Sequence, residues 1–269
     1  MINLYTVEGN LITFPDGVKA LNVSIPSPSW EVETVRLDSG KTVVVDKFLE
    51  PRTIRVRFLL SAYDFTNTYE LRNQLYNMLT DKDLYLVEDR LPHLRWRVVC
   101  HDVYEVDRHT ARTLTCEVTF VAYQGCASTL PVMTAQKEWD IDTWAWGLGL
   151  EWDNAYYKYT HTTTNFAIQN VGKLRIDPRK HDLRIEIKAT AASYLELVNT
   201  TTSNTLRINR KLSSTDVVVV DGPDVFLNGD NITTQTNMML IDLASGQNDF
   251  TVRGTTSREI KFIFPFYFY

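Results

Sequence analysis

The chain has 269 residues, 44% of them hydrophobic and 12% aromatic, which suits one large β domain or two ordinary domains with real cores. Lys plus Arg number 28 against 33 Asp plus Glu, for a net charge of -5 spread evenly along the chain, so neither half is a basic nucleic-acid reader. No apolar run approaches the roughly 18 residues of a membrane helix, and the opening MINLYTVEGN lacks the basic and apolar regions of a secretory signal.

From Leu11 to Phe58, short strands alternate with turn signals at Pro15-Asp16-Gly17, Pro26 to Pro28 and Asp38-Ser39-Gly40, and Val32 to Val45 is expected to form a hairpin. Ile54, Val56, Phe58 and Leu60 then alternate with Arg55, Arg57 and Leu59, the period of a half-buried strand. Asn67 to Thr80 is the one convincing helix, with Asn67 and Glu70 placed as a capping box. Its residues Leu71, Leu75, Met78 and Leu79 share a face. Tyr69, Arg72 and Tyr76 form a second stripe, which fits either a subunit contact or tyrosines lying on the margin of the core with their hydroxyls in water. Strands return at Asp83 to Val87, at Leu94 to Cys100 and at Leu114 to Ala122, giving a sheet pair with one helix packed on it.

Small residues and Pro131 fill Gln124 to Thr134, placing a domain boundary there and dividing the chain into 1–130 and 131–269. Trp139, Trp144, Trp146 and Trp152 crowd the start of the second part. Strands then recur about every ten residues, among them Lys173 to Asp177, Leu183 to Lys188, Tyr194 to Val198, Met238 to Asp242, Asp249 to Arg253 and Glu259 to Phe264. The fold class is therefore mainly β: an N-terminal β-sandwich with one helix and a hairpin, then a second β-sandwich of jelly-roll type.

Signs of catalysis are lacking. Cys100, Cys116 and Cys126 have no metal-ligand spacing and suggest reduced, buried thiols in a chain made in the cytoplasm, and no local signature joins Cys126 to any of the five histidines. Gly147-Leu148-Gly149 has no strand-to-helix context, and Asp221, Asp224, Asp230 and Asn231 lack the loop spacing of calcium ligands. No catalytic, metal or cofactor site is expected. Trp144, Trp146 and Trp152 could stack on sugar rings or plug the end of a core or the seam between domains, and packing in a core or seam is the simpler account.

The order of several segments in the second part resembles the C-terminal domain of siphophage distal tail proteins. These are Phe166 to Gly172, Ile176-Asp177-Pro178, Leu206-Arg207-Ile208, Val225 to Gly229 and Leu243 to Asn248. Arg52 to Val56, the helix, the turn at Pro92 and Thr115 to Phe120 extend the resemblance to the first part. It implies a galectin-like second domain and a structural role at the virion tail tip. The first domains would form a homo-hexameric ring between the tail tube protein and the tail-tip hub or tail-associated lysin, with a channel for DNA and no stable nucleic-acid or membrane binding. Some relatives also carry a receptor-binding protein. Two sticky surfaces are needed for a ring, and the candidates are the Tyr69, Arg72, Tyr76 stripe and the hairpin tip at Asp38, Ser39, Gly40 and Lys41. The rival readings are a carbohydrate-binding module attaching to host cell-wall sugars and a secreted glycoside hydrolase.

Overall fold

The computed structural model describes residues 1–80, 82–100, 102–130 and 157–269. The chain divides into two units, Met1–Ala127 with Tyr269 and Ser128–Phe268. No helix among the described residues is long and apolar enough to cross a membrane.

The first unit contains β1 (Ile2–Thr6), β2 (Leu11–Ile12), β3 (Val18–Ser24), β4 (Trp30–Arg36), β5 (Thr42–Leu49) and β6 (Arg52–Ser61). The helix α1 (Phe65–Leu79) follows, then β7 (Asp83–Glu88), β8 (Arg95–Val99), β9 (Val106–Arg108) and β10 (Thr113–Ala122). The short β11 (Ala127–Ser128) ends this series. An antiparallel sheet runs in the order β2-β1-β7-β8-β10-β6-β3, with β9 also on β10, while among the described residues β4 and β5 pair only with each other. Its centre is the unbroken ladder from Arg52↔Ala122 to Ser61↔Thr113. Because side chains alternate along a strand, Ile54, Val56, Phe58 and Leu60 enter the core opposite Phe120, Val118, Cys116 and Leu114. Arg52 continues the inward stripe and lies with its guanidinium 4.9 Å from the Trp96 ring centre.

The helix begins two residues before the expected start. Asp64 is the N-cap, its carboxylate accepting from the Asn67 backbone N–H at 2.7 Å, and the Asn67 side chain accepts from Tyr63 N–H at 3.3 Å. The N-cap is thus Asp64, three residues upstream of the expected capping box at Asn67 and Glu70, and Asn67 lies inside the first turn. Leu71, Leu75 and Leu79 are buried at i, i+4 and i+8, and Met78 packs half-buried against the same cluster. Each such leucine contributes about 1.5–3 kcal/mol of burial.

The second unit contains β12 (Thr160–His161), β13 (Asn165–Asn170), β14 (Arg184–Asn199), β15 (Asn204–Ile208) and β16 (Val217–Asp221). It continues with β17 (Asp224–Leu227), β18 (Asp230–Asn231), β19 (Gly246–Ile263) and β20 (Tyr267–Phe268). Two pairs of expected short strands are each one long strand. The run Leu183 to Val198 becomes β14, and Asp249 to Phe264 falls largely in β19, because the ladder crosses register shifts at Thr190/Ala191 and Ala191/Glu196 instead of ending there. Gly254 sits at this bend with φ +80°, and a Cβ there would lie 2.4 Å from the Tyr194 carbonyl oxygen, so only glycine fits. One end of the β14–β19 pair adds β12, β16, β17 and β18, and the other adds β13 and β15. Phe166 and Phe250 from the second wing stack 5.4 Å apart and pack on Phe262 of the first at 6.0 and 5.0 Å. The expected strands at Lys173 to Asp177 and Met238 to Asp242 reduce to an isolated bridge, Ile176↔Leu243.

The segments that carry the family resemblance hold the turns of this unit. Asn248 is fully buried; its amide donates to the Ala244 and Gly246 carbonyls at 2.9 and 3.1 Å and accepts from Ala244 N–H at 2.8 Å and Asn199 at 3.1 Å. Asn170 likewise donates to Leu174 and Ala244 carbonyls at 2.9 and 3.2 Å and accepts from Gly172 N–H at 3.0 Å. Such amides replace strand pairing where the backbone turns inside the core.

Asn248→Ala should therefore cost roughly 2–4 kcal/mol in urea unfolding, since several buried partners lose their bonds at once. Acid should also weaken the second unit. Burial lowers the pKa of His161 and His181 below the ordinary 6.5, and His181 Nδ1 accepts the Asp177 N–H at 3.2 Å, a bond that requires the neutral ring. The unfolded chain then binds the extra protons first, so stability is full above about pH 6.5 and falls as pH drops through that value. A urea midpoint that stays level between about pH 7.5 and 5.5 in both His161→Gln/His181→Gln and wild-type protein would contradict this.

Candidate assembly interface

The hairpin of β4 and β5 is exposed along almost its whole length on both faces. Its apolar surface includes Val32, Val35, Val43, Val44 and Val45, the last 60% exposed. Leu37 N–H bonds to Lys41 C=O at 2.9 Å and Gly40 N–H to Leu37 C=O at 2.8 Å, which closes the tip through Asp38 and Ser39. At the root, Glu50 N–H bonds to Ser29 C=O at 3.1 Å. Gly125, at φ +66°, lets the backbone approach so closely that a Cβ would meet the Glu50 carbonyl oxygen at 2.4 Å. The root is fixed to the unit, while among the described residues no third strand joins the ribbon. A two-stranded ribbon with both faces in water is marginal by itself, which makes this surface a candidate for burial by another chain.

The helix stripe divides. Tyr69 is 44% exposed, while Tyr76 is half-buried with its ring 5.3 Å from that of Tyr104, edge to face. Arg72 bridges them, its guanidinium 5.3 Å from the Tyr69 ring and 6.0 Å from the Tyr76 ring. Phe65, outside the expected helix, is 53% exposed and packs edge-on to Tyr69 at 5.4 Å, with Arg108 4.6 Å above it. The exposed end is thus Phe65, Tyr69 and Arg108. Tyr76 serves the margin of its own sheet. Phe65 precedes the expected helix start, which is why the stripe did not reveal it.

Reactive chemistry is poorly served. Burial pushes the Cys100 thiol up to about 11 and those of Cys116 and Cys126 up to about 12, opposite to the direction a nucleophilic thiolate requires. Among the described residues no group of three or more His, Cys, Asp or Glu side chains could hold a metal ion. Asp224 accepts from Asn231 at 3.4 Å, and Asp216 accepts from Asn228 at 3.0 Å, both as turn residues. Trp144, Trp146 and Trp152 lie outside the described residues.

Tyr76→Ala should destabilise the first unit by about 1–3 kcal/mol, whereas Tyr69→Ala should stay within about 0.5 kcal/mol. Equal losses in chemical denaturation would place both rings in the core margin.

Residues 28–122, which span the hairpin, the helix and the strands around them, match the family model of the phage tail protein RIFT-related domain. Sequence comparison with curated proteins gives no match. Among solved structures, the Dit protein of phage SPP1, described as a paradigm of the hub adsorption apparatus in phages infecting Gram-positive bacteria, is similar over 99% of both chains. Its TM-score is 0.71 and its identity 15%. Chains of the phage p2 baseplate in its activated conformation, with strontium or with calcium, align over 97% of both chains at 12% identity with TM-scores of 0.42 and 0.43. Residues 28–122 thus match the phage tail protein RIFT-related domain, and the chain has over its whole length the fold of the SPP1 Dit protein.

Proposed function

We propose that this protein is a non-enzymatic structural component of the phage tail tip, and that six copies close into a ring joining the tail tube to the tail-tip hub. The observation that carries this is the hairpin Trp30–Leu49: it lies within the phage tail domain, presents both faces to solvent and exposes apolar side chains that its own unit does not cover. A closed ring is built from heterologous contacts, each subunit presenting two different surfaces to its neighbours. The hairpin and the helix end at Phe65 and Tyr69 are exposed surfaces available for such contacts.

The charge suits a conduit. Six copies at -5 give a ring of net charge about -30, which repels a nucleic-acid backbone instead of gripping it. The second unit would then serve as a mount for a receptor-binding protein, its fold held by buried amides such as Asn248 and Asn170, not by a reaction site.

Light scattering on the purified protein should give a particle near six times the 31.0 kDa chain, and negative-stain images should show closed rings with a central opening. Tyr69→Glu should lower that mass while leaving the thermal transition in place. A particle that stays monomeric at tens of micromolar would count decisively against the ring.

A further inference from the structure

The hairpin has a division of charge between its two faces. Directly paired residues of an antiparallel ribbon share a face, and the pairing runs Val32↔Lys47, Glu33↔Asp46, Thr34↔Val44, Val35↔Val43 and Arg36↔Thr42, with Val45 the extra residue at the bulge after Glu33. One face accordingly holds Arg36 and Lys47 together with Val32 and Val44. The other holds Glu31, Glu33 and Asp46 together with Val35 and Val43. All five charged side chains are exposed, and none has an ion-pair partner among the described residues. The like-charged groups Glu33 and Asp46 sit directly opposite each other, an arrangement that weakens an isolated ribbon and is relieved by a cationic neighbour.

We infer that the hairpin docks face to face on a second copy of this chain, the basic face with Arg36 and Lys47 of one hairpin covering the acidic face with Glu31, Glu33 and Asp46 of the next. This rests on the ring reading above and specifies its contact. The charge pattern does more than attract. Two hairpins meeting by the same face would set cation against cation or carboxylate against carboxylate, so a two-fold dimer is disfavoured and head-to-tail stacking is selected. Stacking of unlike faces is the heterologous contact that a closed ring needs. The valines on each face supply the apolar area that charge alone does not, since exposed ion pairs contribute little by themselves. Because the charges begin in solvent, assembly should be faster and tighter at low salt.

The test reverses one face at a time. Arg36→Glu with Lys47→Glu makes both faces acidic, and Glu31→Lys with Glu33→Lys and Asp46→Lys makes both faces basic. Each variant alone should be monomeric by light scattering at about 0.15 M salt with a wild-type thermal transition. Mixed in equal amounts, the two should recover the wild-type mass, because every contact again joins unlike faces. A chain carrying all five changes should assemble by itself, which separates a charge effect from a misfolded hairpin. If the single-face variants keep the wild-type mass, or their mixture stays monomeric, the face-to-face contact is overturned while the ring reading stands. A monomeric wild-type protein would overturn both.

Discussion

The ten-residue ladder between Arg52–Ser61 and Thr113–Ala122 is the constraint on which the first unit depends. One unbroken register fixes the face of every side chain on both strands, so a slip of one residue would turn Ile54, Val56, Phe58 and Leu60 to water and Arg55 and Arg57 to the core. The helix is tied to this ladder because it leaves β6 almost at once and must return its leucines to the same core. The hairpin is tied to it at the other end, emerging just before Arg52. The β14–β19 pair plays the matching part in the second unit, except that there the ladder bends at Gly254 and serves both wings of one core.

These ladders explain why the protein tolerates an uncovered hairpin. A ribbon of two strands gains little stability alone, yet its root is clamped by the Ser29–Glu50 bond and by the close approach at Gly125, so the strands are held at a defined position without being packed. Held in this way, the exposed surface would need little further ordering to meet another chain. The same logic separates the two ends of the helix stripe: Tyr76 is used by its own unit, whereas Phe65 and Tyr69 remain outside it.

The two units share an absence of reactive geometry among the described residues. Thiols are buried and protonated, the buried carboxylate Asp242 is held by Arg175 and Asn204, and the buried polar groups of the second unit include amides that satisfy backbone. The second unit uses its buried polar atoms to hold turns, within a chain whose fold over its full length is that of the SPP1 Dit protein.

Period and spacing in the sequence sufficed for the mainly β class, for the hairpin, for the helix face at Leu71, Leu75 and Leu79, and for the buried thiols, because these follow from local alternation and composition. The order of segments such as Leu243 to Asn248 also carried the family resemblance, but not the bonding inside them, where Asn248 bonds to Ala244 and Gly246 and Asn170 reaches the Ala244 carbonyl from 74 residues away. The cap at Asp64 was hidden because Asn67 and Glu70 satisfy the same pattern, and only the position of Tyr63 after β6 decides between them. The fusion of four short strands into β14 and β19 was hidden for a similar reason: a bulge and a break look alike until the partner strand is seen to continue across. Sequence by itself determined which residues alternate and where the chain can turn, since those are properties of neighbours. Tertiary structure alone decided which of the two tyrosines packs on the core margin, through the ring of Tyr104, and which charges share a hairpin face, through the pairing register, since both join residues the sequence does not place together.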